Sequence, residues 1–206
     1  MDNLHQASST TQLDPAMSHC SRLLSVLALL VWHATAFAQD EAALRDGQRD
    51  FDFTFGTWHS QLSLLLEPLS GSTRWAEYEG TTVVREIWGG RANLVEFDVS
   101  GPAGRVELLS LRLYNPQSRQ WSLHAASSRT GTLFPPVVGE FTDGRGEFFG
   151  VDTVDGRTIL ARFVITQVSP DTLRFEQAFS DDGGKTWETN WIAVDTRIRD
   201  ATNETP

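Results

Sequence analysis

From residue 51 onward, apolar and polar residues alternate with a period of two, the spacing of strands buried on one face. Phe51, Phe53 and Phe55 occupy every second position before Gly56. Trp58, Leu62, Leu64 and Leu66 share one parity in 57–66. Segments 73–79 and 81–88 carry Trp75, Tyr78, Val83, Val84, Ile87 and Trp88, and Gly89-Gly90 ends them. In 92–99, Val95, Phe97 and Val99 alternate with Glu96 and Asp98. In 105–114, Leu109, Leu111 and Leu113 alternate with Ser110, Arg112 and Tyr114. A sheet wet on one side keeps its apolar parity inward, which places these leucines inside and Arg112 outside. Further strands are predicted at 120–128, 137–142, 146–153, 157–167, 171–180 and 185–197.

Turn chemistry separates the runs. Asn115-Pro116-Gln117-Ser118 fits a type I turn, with proline where its fixed φ helps. Asp155-Gly156 is a two-residue hairpin signal. Phe134-Pro135-Pro136 cannot occupy a central strand, so 129–136 is a loop at one mouth. Residues 41–49 fit one or two helical turns. About ten sequential strands joined by tight turns predict an all-β fold, an up-and-down antiparallel barrel with a short helical segment before it. A two-sheet sandwich has the same local pattern; the lack of a long crossover favours the barrel. Ten strands enclose a wider ring than the eight that side chains can fill.

The first 38 residues follow another rule. Leu23 to Trp32 is an unbroken apolar run apart from Ser25, preceded by Arg22 and followed by Ala36-Phe37-Ala38. Those are the three regions of a secretory signal, and the run is too short to span a bilayer. Residues 1–38 are therefore read as a signal peptide, with 1–16 outside the signal pattern and Met17 an alternative start. Residues 39–206 are read as one domain, exported to the periplasm or beyond. Cys20 is the sole cysteine and leaves with the signal, so packing must hold the mature chain together.

Composition narrows the partners. The net charge is −10 and Lys185 is the only lysine. That balance argues against nucleic acid and anionic membrane surfaces. No transmembrane segment is expected after residue 38. His59 and His124 are the only histidines beyond the signal, with no metal-ligand spacing and no cysteine beside them. No metal site and no cofactor are expected. His124 has the opposite parity to Leu123 and belongs on the outside.

Gly56-Thr57-Trp58 resembles the Gly-x-Trp that opens the first strand of calycin barrels, such as lipocalins and nitrobindin-like proteins. In those chains a late arginine stacks on the tryptophan; the resemblance assigns that role to Arg197, with Arg199 second. The series Phe51-Asp52-Phe53, Glu79-Gly80-Thr81, Gly89-Gly90, Leu113-Tyr114-Asn115-Pro116 and Ser180 to Trp187 resembles a family of mostly exported bacterial proteins classed as a domain of unknown function. The resemblance implies a calycin-like barrel and export, and brings no activity. Nitrobindin-like barrels hold haem through a late histidine, which this chain lacks beyond His124. Ser180-x-Asp182-x-Gly184-x-Thr186-Trp187 is also similar to the Asp-box of sialidase propellers, a hairpin device in which Asp182, Gly184 and Trp187 are structural.

Polar residues on apolar parity point to the inner wall. Gln177 lies between Phe175 and Phe179 and must find a partner inside. Arg85 and Glu86 are adjacent, so one of them faces inward, where a charge needs a companion. The expected function is a small-molecule-binding barrel, a carrier or sensor for a hydrophobic or amphipathic ligand. Its expected ligand-binding residues are Arg85, Glu86, Trp88, Trp121, Phe163, Phe175, Gln177 and Trp191. The alternatives are a cavity enzyme of isomerase, cyclase or hydratase type, using His124, Glu86 or Glu176, and a structural envelope protein with a filled barrel.

Overall fold

The computed structural model describes residues 46–198. Among the described residues a 3-10 turn, Asp52–Thr54, precedes eleven strands. They are β1 (Gly56–Leu65), β2 (Trp75–Ile87), β3 (Ala92–Gly101), β4 (Gly104–Asn115), β5 (Gln120–Ser127) and β6 (Thr132–Leu133). The series continues with β7 (Val137–Thr142), β8 (Arg145–Val154), β9 (Arg157–Ser169), β10 (Thr172–Ser180) and β11 (Glu188–Arg197). Every pairing is antiparallel and nearly all join sequence neighbours. β7 pairs with β5, and β11 returns to β1, so ten strands close into a ring. The two-residue β6 pairs only with Ala126 and Ser127 and stands outside it. The protein is thus a closed antiparallel barrel, as the alternation predicts.

Three details differ from the sequence reading. The predicted runs 73–79 and 81–88 are one strand, because Gly80 continues β2 where the backbones of β2 and β3 crowd. A Cβ on Gly80 would lie 2.0 Å from the Asp98 carbonyl oxygen. The helical turns expected at 41–49 fall partly outside the described residues. The described part, from Asp46, forms turns in which the Asp50 N–H donates to Gly47 O (3.1 Å) and the Asp52 N–H to Arg49 O (3.0 Å). The signal segment lies outside the described residues.

The third difference concerns which way β4 faces. Register runs inward from Trp58 through Thr82 and Phe97 to Leu108, and from Val84 through Val95 to Ser110. Ser110, Arg112 and Tyr114 therefore face the axis, while Leu109, Leu111 and Leu113 face outward. The sequence rule fails here because period two fixes two faces but not which is inside. Pairing with β3 and β5 decides it: Arg112 lies opposite Asn93 and Leu123. Among the described residues no helix is long and apolar enough to cross a membrane.

The core falls into three buried groups along the axis. One gathers Phe51, Trp121, Phe141 and Phe148. A second holds Trp58, Val84, Val95 and Leu173. A third, packed by Leu64, Phe97 and Trp191, holds Leu62, Tyr78 and Val99.

Candidate functional site

One end of the barrel is sealed by the chain entering it. Phe51 drops into the ring and meets Trp121 (4.8 Å between centroids) and Phe141 (5.0 Å) edge-on. Trp121 is fully buried and its Nε1–H donates to Gly47 O at 3.0 Å. Trp58, also fully buried, donates from Nε1 to Thr54 O at 2.8 Å. The Arg197 guanidinium stacks 4.0 Å from the Trp58 ring and donates to Phe55 O (2.7 Å) and Phe53 O (3.0 Å). Cation, indole and entering chain are thereby tied where first and last strands meet. Gly56 adopts φ +125°, and a Cβ there would lie 2.8 Å from Arg197 Nη1, so the glycine makes room for the stack. Arg199 lies outside the described residues.

The opposite end is rimmed by the turns at 66–74, 102–103, 128–136 and 181–187. Asp182 organises the last of these. It accepts hydrogen bonds from the backbone N–H groups of Lys185 and Thr186 (both 3.0 Å) and from the hydroxyls of Thr186 (2.7 Å) and Ser180 (2.8 Å). The Thr186 bonds chiefly hold its carboxyl down to about 2. Gly184 takes φ +87° in this turn. Trp187 packs on the outer wall, with Arg162 4.7 Å from its ring. A crevice of about 240 Å³ lies on this rim, bounded by Leu69, Phe179 and Glu188 among others.

Inside this end, several axis-facing side chains are only half-buried: Phe97, Leu108, Phe163, Phe175, Gln177 and Trp191. Register sets Gln177 between Phe163 and Trp191. The Phe163 and Phe175 rings lie 5.2 Å apart, and those of Phe97 and Trp191 5.6 Å. Gln177 donates to Asn190 Oδ1 at 2.8 Å, which supplies the partner its inward position requires. Four of the expected ligand-binding residues, Phe163, Phe175, Gln177 and Trp191, are thus brought together on one wall.

The other four are not. Arg85 faces outward and is exposed, paired with Glu96 of the next strand. Its neighbour Glu86 takes the inward parity, but on the sealed end's rim, where it is exposed. Trp88 occupies a turn with φ +55° and is 67% exposed. Trp121 is consumed by the plug. Alternation gave each residue a face; it could not say which end of a strand is open. The enzymatic candidates fare similarly. His124 is on the outer wall, bonded to Ser122 Oγ at 3.0 Å, and Glu176 is outward, bonded to Arg174.

Sequence reasoning missed the polar interior between the two ends. Ser60 and Thr82 share a hydrogen bond of 2.6 Å, and Ser60 also bonds to Asp195. Asn93 is fully buried, yet neither its Oδ1 nor its Nδ2 has a partner in the protein. Arg112 faces the axis with its guanidinium 4.5 Å from the Phe51 ring, and its buried Nε and Nη1 have no hydrogen-bond partner. Asp195 Oδ1 is likewise unpartnered. Burial pushes the Asp195 carboxyl up, against the Ser60 hydrogen bond and the charges of Arg112 and His59. Burial also pulls Arg112 down to about 10, which leaves it a cation at neutral pH. The available signal was Arg112 itself: a lone cation among leucines, on a strand whose parity the neighbours decide.

A groove of about 550 Å³ crosses the outer wall over β2 to β5. Val83, Leu109 and Ala126 line it, with Glu96, Asp98 and Glu107. Those carboxylates are already paired with Arg85 and Arg105, and surface pairs of this kind add little. Among the described residues no group of His, Cys, Asp and Glu could hold a metal ion.

No protein-family model and no curated protein sequence matches the chain. Solved structures do. The chain is similar to Rv2717c from M. tuberculosis, with 14% identity and a TM-score of 0.52, covering 76% of this chain and 99% of that one. It is also similar to the S-type phycobiliprotein lyase CPES from Guillardia theta, with 12% identity and a TM-score of 0.51, covering 74% and 93%. At such identities the likeness is one of fold: a closed antiparallel barrel.

Proposed function

We propose that this protein is an exported carrier or sensor that holds a small hydrophobic or amphipathic compound in the unsealed half of its barrel. One observation carries the reading. Phe97, Leu108, Phe163, Phe175 and Trp191 face the axis but remain half-buried, whereas Phe51, Trp58 and Trp121 at the other end are fully enclosed. A barrel whose aromatic inner wall stays accessible at one end has the form of a ligand site with a single mouth. Gln177, held by Asn190, supplies an orienting amide on that wall. The fold is shared by a protein named as a phycobiliprotein lyase, so the architecture is compatible with work on small molecules. Export rests on the signal pattern of residues 1–38, and the likeness to exported bacterial proteins on the motifs that run from Phe51 to Trp187.

Titration with the neutral dye Nile red tests the binding. Saturable, stoichiometric binding with a blue-shifted emission is expected, weakened at least tenfold by Trp191→Ala. Absence of saturable binding would overturn the reading. Cell fractionation tests export: the mature protein should begin at Gln39 and lie outside the cytoplasm.

A further inference from the structure

We infer that the barrel's interior polar cluster, centred on Arg112 and Asn93, receives the anionic, oxygen-bearing head of an amphipathic ligand, of which a carboxylate is the simplest form. This deepens the proposed binding function and rests on it.

The first observation is the unmet hydrogen-bonding capacity. Arg112 leaves Nε and Nη1 without acceptors, and Asn93, directly opposite on β3, leaves both amide atoms free. Nearly all buried polar groups in folded proteins find partners. A buried guanidinium with only a ring against it is the costlier exception. The Phe51 ring lies against the Arg112 guanidinium, and Arg112 as a whole is only half-buried, so the side chain keeps surface toward the interior. Among the described residues Arg112 forms no salt bridge; Asp195, whose charge acts on it from further off, itself leaves Oδ1 unpartnered.

The second observation is access. From Arg112 toward the open end, the axis-facing residues of β4 and β5 are Ser110, Ala125, Leu108 and Ser127, all half-buried and mostly small. Facing them across the interior are Phe163, Phe175 and Trp191. A ligand entering at the mouth meets an apolar wall first and the cation last. That order suits a molecule with an apolar body and an acidic head. Arginine is the side chain that reads planar oxyanions best, and Asn93 adds a neutral donor and an acceptor beside it.

The experiment compares pyrenebutyric acid with pyrenebutanol, which share one apolar body and differ in the head. Binding is followed by energy transfer from tryptophan to pyrene. The acid is expected to bind at least tenfold more tightly than the alcohol. Arg112→Met should remove that preference by bringing the acid's affinity down to the alcohol's, and Asn93→Leu should reduce it. Equal binding of acid and alcohol to the unaltered protein would overturn the inference while the carrier reading stands. Binding of neither would overturn both. A preference that persists in Arg112→Met would also overturn it, by placing the head elsewhere. The comparison on the unaltered protein needs no variant to fold, so it decides even if Arg112→Met does not.

Discussion

The two ends of this barrel use the same residue types for opposite purposes. At the sealed end Phe51, Trp58 and Trp121 are fully enclosed, each indole N–H bonded to a carbonyl of the entering segment. At the open end Phe97, Phe163, Phe175 and Trp191 face the same axis and keep accessible surface. The difference lies in what covers them. Residues 46–55 cross one mouth and bring their own aromatic ring, while the other mouth is bordered by turns, of which 66–74 packs Leu69 against the core. Burial is what makes an aromatic side chain stabilising, so the enclosed rings contribute more stability and the half-buried ones keep the surface that the proposed ligand would cover. The cation between them, Arg112, is stacked from the sealed side and unpartnered toward the other.

Substitutions at the two ends should separate these roles. The largest effect is expected from Trp58→Ala, which empties a fully buried site and strips Arg197 of its stacking partner. It should cost about 3–5 kcal/mol, whereas Trp191→Ala should cost about 1–2 kcal/mol because its ring is already partly wet. Urea midpoints at constant m-value measure both. Equal costs would abolish the distinction between the ends.

A smaller effect is expected from the cation that closes the ring. Arg197→Met removes the stack on Trp58 and two bonds to backbone carbonyls. It should cost about 2 kcal/mol. Arg85→Met, which removes a surface pair, should cost no more than about 0.5 kcal/mol. The same midpoints report the contrast.

Acrylamide quenching sharpens the comparison without a stability change. Trp191 should be quenched and then protected when Nile red binds, while Trp58 and Trp121 stay silent throughout. Single-tryptophan variants resolve the three.

The smallest effect is expected at the rim. Asp182 is held down to about 2 by its bonds to the 185–186 turn. Its contribution should be complete above the ordinary carboxylate value of about 4 and lost as pH falls through about 2. The amide shifts of Lys185 and Thr186 should titrate with a midpoint near the lower value. A midpoint near about 4 would show that those bonds do not hold in solution.

Much of the architecture was legible because local chemistry carries it. Asp155-Gly156, Asn115-Pro116 and the Phe51-to-Trp58 run each specify their structure through a few adjacent residues. The candidate site was half legible. Phe163, Phe175, Gln177 and Trp191 face inward, as alternation and an amide among aromatics predict. Arg85 and Trp88 were misplaced because one is on the outer face and the other in a turn, facts that depend on strand phase and end. Arg112 was assigned to the wrong face because its own strand is apolar on the outside.

The sequence by itself determined that the chain is a succession of two-faced strands joined by tight turns, since turn residues and period two act between near neighbours. Only the tertiary structure decided which face of β4 turns inward, which mouth residues 46–55 close, and that Arg112, Asn93 and Asp195 share one interior. Those outcomes follow from register, which is fixed by pairing between strands far apart in the chain. A one-residue change in that pairing reverses every side chain of a strand, and no local pattern records it.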